Sequence, residues 1–464
     1  MYYYLQNRWK LEDKKLYYYG LRNRNNMFRN CISLSAKQYL IVSSLPKKLN
    51  DNEKKILGDL LGVQVVLKEE LKEIPRRFSE ATFCKTCCAN DFMIPGLEFD
   101  ENGCCPMCQT EDAIELKSVI PLVEDIPRSR KSRFDVALFY TGGKDSTFLL
   151  YYLSSVKRLR VLALTWEIPF MSECAKASIE GAKKTFQNVE FIARSVSQDD
   201  LKRLYRKLYS LNENVCACPS LAYLLFYPEL VENRVPYFVA GNEPVQMLGL
   251  YYNHMAPKFA YSFAKNSFLT ALLNLGRILT FHPPLRQGQF QTLMTMKQLA
   301  YGDNPLKKLS GYQNELVSNV VEAIHAVPEL LPPFKRSIRR SSRTGHIPAF
   351  VHFDLNKICG GIYDWNRVKH ILIEKCGWVA PNDDKKSLHT SCNIERCKDY
   401  SQFLRFYYCR SKMIPFSAIE ISLASRNCGR TKEEMIYETE HLLGFCLDEI
   451  PECSIIREFL GDSL

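Results

Sequence analysis

Short apolar runs alternate with amphipathic stretches through the middle of the chain. Four runs predict buried strands, at residues 136–140, 160–166, 189–193 and 235–240. The stretches that begin at Ser146 and Cys174 have the spacing of helices between those strands. Strands that alternate with helices favour a doubly wound α/β domain with a parallel sheet, and such sheets bind ligands at the carboxyl ends of their strands.

The pattern changes on both sides of this domain. Residues 1–80 contain two strand-like and two helix-like stretches, which predict a small α+β module that could dock a partner. Residues 81–126 are rich in cysteine and turn residues. The α/β domain then occupies residues 127–245, and residues 246–464 are mainly helical in pattern. We expect this last segment to form the side of the active site that faces the substrate, and its C-terminal part to contribute residues to that site.

A glycine turn joins the first buried strand to the first helix and reads Thr141-Gly-Gly-Lys-Asp-Ser146. Glycine lets the backbone approach a ligand closely, and the start of a helix offers free amide groups to an anion. Lys144 and the hydroxyls of Thr141 and Ser146 add charge and donors. The turn therefore predicts a phosphate or pyrophosphate cradle, although it lacks the four-residue spacer of the Walker loop.

This turn resembles the SGGKDS loop of the PP-loop ATP pyrophosphatases, with Thr141 in place of the first serine. Members of that superfamily split ATP between its α and β phosphates, transfer AMP to a carbonyl oxygen, and displace it with a nitrogen or sulfur nucleophile. The resemblance implies a PP-loop fold that binds ATP and Mg²⁺, with the loop after Trp166 over the adenosine. It assigns ATP binding to Thr141, Gly142, Gly143, Lys144, Asp145 and Ser146, and catalysis to Lys144 and Asp145.

A second glycine signal, Gly241-Asn242-Glu243, follows the last predicted strand. It stands where the superfamily has its second nucleotide signature. Gly241 would let the backbone approach ATP, and Glu243 could hold Mg²⁺ or a substrate amine. An ordinary turn after a strand is the alternative interpretation.

Two CxxC pairs lie ahead of the phosphate loop. Cys84 with Cys87 and Cys105 with Cys108 predict a zinc ribbon that holds one structural Zn²⁺ by four thiolates. A structural zinc is favoured over a redox or iron–sulfur role. The ribbon and the loop together resemble the N-acetyl sugar amidotransferase branch of the superfamily, over residues 84–445.

Further cysteines are candidates for the chemistry. Cys216 and Cys218 precede a predicted helix start, where a thiol has a lowered pKa. Sulfur-transferring members of the superfamily have a reactive or cluster-binding cysteine in a comparable place, but the spacing here is CxC, and buried packing cysteines are the alternative. Cys174 is a weaker candidate.

A polar stretch at residues 388–399 holds three more candidates. His389 could act as an acid or base, Cys392 as a thiol nucleophile or cluster ligand, and Glu395 as a metal or amine contact. An interdomain hydrogen-bonding loop is the alternative.

Composition narrows the class of protein. The 464 residues are 46% hydrophobic and 24% charged, which is ordinary for a soluble globular protein. A net charge of +11 favours anionic partners such as ATP, tRNA, an acidic carrier or a membrane surface. The eighteen cysteines, with no signal-peptide pattern at the start, predict a reducing cytoplasm. Polar residues interrupt the apolar stretch 263–281, so we expect no membrane insertion, and the basic run 335–343 favours a solvated loop.

Two reactions fit these features. In the first, a sulfur nucleophile displaces AMP to give a thiocarbonyl product, with Cys216, Cys218 and Cys392 delivering or holding sulfur, with or without an iron–sulfur cluster. In the second, ammonia from a partner glutaminase gives an amidine on an N-acetyl sugar. The extra cysteines and the N-terminal module favour sulfur, and a zinc adaptor that only binds nucleotide is a third class. The acceptor could be a small molecule, a carrier-bound group or a tRNA; a sulfur donor and a second copy of the chain are further candidate partners.

Overall fold

A computed structural model describes residues 1–21, 31–62, 65–109, 122–211, 217–253, 267–286, 288–302, 315–383, 385–448 and 454–461. The strands there are β1 (Tyr4–Leu5), β2 (Trp9–Glu12), β3 (Lys15–Tyr18), β4 (Cys31–Ser33), β5 (Val66–Leu67), β6 (Leu122–Val123), β7 (Val136–Phe139), β8 (Val161–Trp166), β9 (Val189–Arg194), β10 (Tyr237–Ala240), β11 (Ala349–Phe350) and β12 (His352–Phe353).

The α-helices in the same ranges are α1 (Ala36–Ser43), α2 (Asp51–Leu57), α3 (Lys144–Tyr151), α4 (Glu173–Thr185), α5 (Gln198–Ser210), α6 (Cys218–Glu232), α7 (Pro244–Tyr252), α8 (Ser267–Leu279), α9 (Gln289–Tyr301), α10 (Glu315–His325), α11 (Leu331–Thr344), α12 (Leu355–Ile358), α13 (Trp365–Cys376), α14 (Glu395–Tyr407), α15 (Phe416–Asn427), α16 (Lys432–His441) and α17 (Ser454–Leu460). A π-helical turn at Tyr152–Val156 continues α3.

A five-stranded parallel sheet forms the centre of the fold, in the order β11-β10-β7-β8-β9. The chain builds outward from β7 through β8 to β9, and then crosses to β10 and β11 on the other side. The strand order therefore reverses between β7 and β10. In open α/β sheets this reversal leaves a crevice at the carboxyl ends of the two strands, where ligands bind.

Both faces of the sheet are covered, which explains the continuous apolar runs of its strands. Val136 and Leu138 of β7 belong to the hydrophobic cluster that contains α3, α13 and α15. Ala137 and Phe139 point the other way, into a cluster with Phe226 of α6. The mixed α/β class with a parallel sheet is thus as predicted.

Some local predictions needed correction. Helix α3 begins at Lys144 rather than Ser146, so the lysine belongs to the first turn. The basic run 335–343 lies in helix α11 and not in a loop, because Phe334 and Ile338 recur at helical spacing and are buried. Gly377, at φ +63°, ends α13.

The N-terminal residues form a small cluster of their own. Strands β2, β3 and β4 make an antiparallel sheet, and Trp9, Leu16 and Val42 are among the buried side chains that pack beneath it. Arg8 joins this cluster to the rest of the chain. Its buried guanidinium donates to the backbone oxygens of Tyr19 (2.9 Å) and Phe406 (2.8 Å) and lies 4.4 Å from the Phe406 ring centre.

Across the described ranges, none of the helices combines the length and the apolar character needed to cross a bilayer.

Candidate active site

The loop between β7 and α3 is a tight turn packed against α4. Gly142 has φ +72°, and a Cβ added there would clash with the backbone oxygen of Ala175. Gly143 is the N-cap of α3 and supplies no side-chain cap to the first turn. The hydroxyl oxygens of Thr141 and Ser146 lie 3.1 Å apart beside it. A helix start of this kind can hold an anion such as phosphate.

The loop after β10 lies directly on the phosphate loop. A Cβ added at Gly241 would sit 2.5 Å from the backbone nitrogen of Ser146, so this position requires glycine. Asn242 is half-buried and donates its backbone N–H to Ala240 (2.8 Å). Glu243, the N-cap of α7, is 1% exposed. The reversal of strand order between β7 and β10 thus brings the two predicted glycine signals together.

Lys144 is buried between these loops, with 1% of its surface exposed. Its ammonium forms an ion pair with Asp145 and lies 3.4 Å from Oε2 of Glu243. The ring centres of Tyr363 and Trp365 are 4.9 and 4.7 Å from Nζ, within the range of cation–π attraction. One cation therefore faces two carboxyl groups and two aromatic rings.

The two carboxyl groups differ in their surroundings. The Asp145 side chain is 17% exposed and accepts a hydrogen bond from the Tyr363 hydroxyl (2.8 Å). Burial raises the pKa of Glu243 to about 8; the charge of Asp145 adds to this rise, while Lys144 and a hydrogen bond from Trp365 oppose it. Because a single carboxylate balances the ammonium, we assign the charged pair to Lys144 and Asp145. Glu243 is then mostly protonated at neutral pH.

The stretch around Thr390 covers the phosphate loop. The backbone N–H of Lys144 donates to Oγ1 of Thr390 (3.4 Å). Ser172, the N-cap of α4, donates its backbone N–H to Ser391 (3.0 Å) and its hydroxyl to the carbonyl of Thr390 (2.9 Å). The C-terminal region and the sheet domain therefore meet at this site.

His389 lies in a buried ionic network next to that cover. Its Nε2 is 3.1 Å from a carboxylate oxygen of Glu420, and its Nδ1 is 3.9 Å from one of Glu395. Burial and Lys398 lower the pKa of His389, but the two carboxylates outweigh them and raise it to about 9. A charged imidazolium can give a proton but cannot take one. Of the predicted acid and base roles, the ionic network favours the acid at neutral pH.

Glu395 is held in its charged form by the same network. Burial raises its pKa, but Lys398 and His389 outweigh burial and lower it to about 2. Lys398 also forms an ion pair with this carboxylate. Glu395 is therefore a fixed negative charge close to Cys392.

Two of the candidate cysteines line one small cavity. Cys218 at the start of α6 and the buried Cys392 border a space of about 10 Å³ together with Glu395 and Lys398. Such a space holds about one water molecule. Cys216 lies outside the described residues. Cys174 lies elsewhere, under the Thr390 carbonyl, to which its Sγ donates (3.4 Å).

A larger cavity of about 150 Å³ opens at the carboxyl ends of β8 and β9. Apolar side chains of Met171, Ile179 and Phe191 line it, together with charged residues of α4. Trp166, at the end of β8, is half-buried. Its Nε1 is buried and has no hydrogen-bond partner among the residues described. Ile179, on the wall of this cavity, also packs against Gly142 of the phosphate loop.

The four predicted metal ligands converge on one point. The sulfur atoms of Cys84, Cys87, Cys105 and Cys108 all lie within 4.8 Å of one another. Separations are 3.9 Å between Cys84 and Cys108 and 3.7 Å between Cys87 and Cys105. Four thiolates at about 2.3 Å from a tetrahedral zinc stand about 3.8 Å apart. The donor set and its spacing therefore fit one tetrahedral ion.

The neighbouring cysteines have other contacts. Cys88 is buried and donates to the backbone oxygen of Ile421 (3.1 Å), and burial raises its pKa to about 12. The Sγ of Cys104 lies 3.2 Å from the hydroxyl of Thr86. The ribbon is held to the C-terminal helices, since Lys432 donates to the backbone oxygen of Cys84 (2.6 Å).

Comparison with protein-family models gives no match, and neither does comparison with curated proteins. Among solved structures, the chain is similar to U34-tRNA thiolase NcsA from Methanococcus maripaludis with its [4Fe-4S] cluster. The two are 17% identical, the alignment covers 63% of this chain and 96% of the thiolase, and the TM-score is 0.22. This TM-score is too low for the likeness to bear on fold or activity.

Three residues of the site were not predicted. Tyr363 and Trp365, both fully buried, lie at the start of α13, in the segment that was predicted only to be mainly helical. Thr390 stands in the polar stretch but was not singled out. The available signal was the placement of two aromatic residues on either side of Asp364, the N-cap of that helix.

Proposed function

We propose that the chain is an ATP pyrophosphatase that adenylates a carbonyl oxygen of an acceptor and then replaces that oxygen with sulfur. The observation that carries the proposal is the meeting of the Thr141–Ser146 loop and the Gly241–Glu243 loop around Lys144, where the strand order reverses. The resemblance of the first loop to that of the PP-loop pyrophosphatases agrees with it.

In the first half of the reaction, the carbonyl oxygen attacks the α phosphorus of ATP. The bond from that phosphorus to the oxygen bridging the α and β phosphates breaks, and pyrophosphate leaves. The amides at the start of α3 would bind the phosphates, and the fixed ammonium of Lys144 would stabilise the developing charge. The glycines at 142 and 241 keep both loops close enough for these contacts.

The adenosine has a candidate place in the cavity of about 150 Å³ at the ends of β8 and β9. Its apolar wall suits a base, and its lysines at 176 and 183 pair with Glu173 and Glu180. Mg²⁺ accompanies ATP in such reactions and neutralises phosphate charge. Asp145 is the candidate ligand for it, because Glu243 is sealed behind Lys144 and Trp365.

In the second half, a sulfur nucleophile adds to the activated carbon, and AMP leaves with the original oxygen. The shared cavity of Cys218 and Cys392 favours sulfur over ammonia, because it puts two thiols from distant parts of the chain in one small space. Lys398 lies on the same wall, but its charge is already balanced by its ion pair with Glu395.

The four-cysteine group is proposed to hold zinc in a structural role. Its buried position and its four protein ligands leave no open coordination place for chemistry. The zinc would fix the ribbon against the C-terminal helices α15 and α16.

The first test measures pyrophosphate release. Purified protein is incubated anaerobically with ATP, Mg²⁺, sulfide and candidate acceptors, including bulk tRNA and N-acetyl sugars. Lys144→Met should abolish pyrophosphate release. The matched control is Lys157→Met, which removes a lysine that follows the same helix and pairs with Asp125 (3.0 Å). Full activity of a folded Lys144→Met protein would refute the proposal.

The second test identifies the nucleophile. Replacement of oxygen by sulfur makes the acceptor heavier, whereas replacement by an imino group from ammonium makes it slightly lighter, and mass spectrometry separates the two. Cys218→Ser and Cys392→Ser should stop sulfur transfer but leave adenylation in place. Normal sulfur transfer by both variants would show that these cysteines do not deliver or hold sulfur. A lighter product would show that the nucleophile is nitrogen and not sulfur.

A further inference from the structure

Helix α8 carries its apolar side chains outward. Phe268, Leu272, Leu275 and Leu279 recur at the spacing of one helix face. Phe268 is 74% exposed and Leu279 71%, and the two leucines between them are each more than half exposed. Phe281, just after the helix, is 95% exposed. We call this set of five side chains the apolar stripe.

The inner face of the same helix is mostly polar, although Leu273 packs there against the buried core. Asn274 donates to the backbone oxygen of Leu285 (3.2 Å) and accepts from its N–H (2.8 Å). Arg277 donates to the backbone oxygens of Pro283 (2.8 Å) and Ser342 (3.1 Å). These bonds fix the helix with its polar side inward, which reverses the usual arrangement of a surface helix. A contiguous exposed stripe of this kind marks an interaction surface.

The neighbouring helix α11 carries a basic face. The bond from Arg277 to Ser342 joins α8 to α11, whose core side is formed by Phe334 and Ile338. The opposite side of α11 exposes four arginines, at 336, 339, 340 and 343. Within the described part of the chain none of them forms an ion pair. Neither segment, 267–286 or 331–347, contains an aspartate or a glutamate.

We propose that the apolar stripe and the arginine face of α11 bind the surface of an anionic phospholipid membrane. Leucine and phenylalanine side chains enter the boundary between headgroups and acyl chains, and arginines pair with lipid phosphates. At 13 residues, α8 is too short to span the bilayer and would lie in the interface plane. A second copy of the chain fits less well, since it would bring two arginine faces together.

The test is co-sedimentation of the full chain with vesicles. One set is phosphatidylcholine alone, and the other is an equal mixture of phosphatidylcholine and phosphatidylglycerol. The wild type should bind the mixed vesicles, and binding should weaken with added salt. The double variant Leu272→Gln/Leu275→Gln should lower the partition coefficient at least about tenfold. Arg339→Gln/Arg340→Gln should lower it about 30-fold at low salt and reduce the salt dependence.

The controls change exposed residues elsewhere. Leu40→Gln/Ile373→Gln removes two exposed apolar side chains, and Arg130→Gln/Lys131→Gln removes two charges from the linker ahead of β7; both should bind like the wild type. Absence of wild-type binding to mixed vesicles, or unchanged binding by the stripe and arginine variants, would overturn the proposal. The proposal would also be overturned if light scattering showed that the wild type is a dimer, and that Leu272→Gln/Leu275→Gln breaks this dimer but leaves vesicle binding unchanged. Circular dichroism confirms that each variant folds.

Discussion

The buried charge balance at Lys144 leads to a prediction about pH. Burial raises the pKa of Glu243 from 4.5 to about 8. A carboxyl with a raised folded-state pKa stabilises the fold fully below its unfolded pKa, and this contribution is lost as pH rises through the folded pKa. Each pH unit within that interval is worth about 1.4 kcal/mol. The contribution of Glu243 should therefore fall by roughly 3 to 4 kcal/mol between pH 5 and pH 8.

Glu243→Gln removes this pH dependence and keeps the shape of the side chain. Gln can still accept the hydrogen bond from Trp365 and never ionises. The free energy of unfolding of the wild type and the variant is measured by urea titration at pH 5 and pH 8. As the pH rises from 5 to 8, the free energy of unfolding of the variant should increase relative to that of the wild type by roughly 3 to 4 kcal/mol.

The control for this titration is Glu180→Gln, an exposed glutamate paired with Lys183 (2.7 Å). A hydrogen bond from that lysine lowers the pKa of Glu180, so this carboxyl is mostly ionised in both states from pH 5 to pH 8 and should give no comparable trend. If the difference in unfolding free energy between the wild type and Glu243→Gln stays constant across this range, Glu243 is not the protonated carboxyl assigned here. Glu243 would then be ionised throughout, and Lys144 would be balanced by both carboxylates.

Three further predictions concern other parts of the site. Gly241→Ala should weaken ATP binding at least about tenfold by calorimetry, because the new methyl group would lie 2.5 Å from the backbone nitrogen of Ser146. Cys105→Ser should lower the zinc content, measured by metal analysis, and the melting temperature together, since the ion holds the ribbon. His389→Gln should be most destabilising below pH 6.5 and least above pH 9, because the stabilising charge of the imidazolium is lost as pH rises through its pKa of about 9; urea titrations at about pH 6 and about pH 10 check this.

The sequence predicted the parts of the molecule that depend on local pattern. The strands β7 to β10, the glycine turn at 141–146 and the two CxxC pairs each carry their signal within a few neighbouring residues. Strand β11 was missed because two residues are too short to show a period. Helix α3 was predicted to start two residues late, because Ser146 looks like an N-cap while the turn is in fact closed by Gly143.

The rest of the site depends on contacts between distant segments. Tyr363 and Thr390 reach Asp145 and Lys144 from more than two hundred residues away. Their own neighbours in the sequence give no sign of this partner. The inverted helix α8 was missed for a related reason: the apolar pattern predicts an amphipathic face, but cannot say whether the face points inward or outward.

Glu243 also bears on how the proposed site could accept ATP. A buried ionised glutamate beside the phosphates would repel them, and the repulsion would be strong because so little water reaches the site. A protonated Glu243 avoids this, since Lys144 and Asp145 already neutralise each other. The negative charge of a triphosphate at the start of α3 would raise the pKa of Glu243 further and hold it protonated. The burial that makes this carboxyl neutral is therefore what leaves Lys144 free to interact with a phosphate when Asp145 turns to a metal ion.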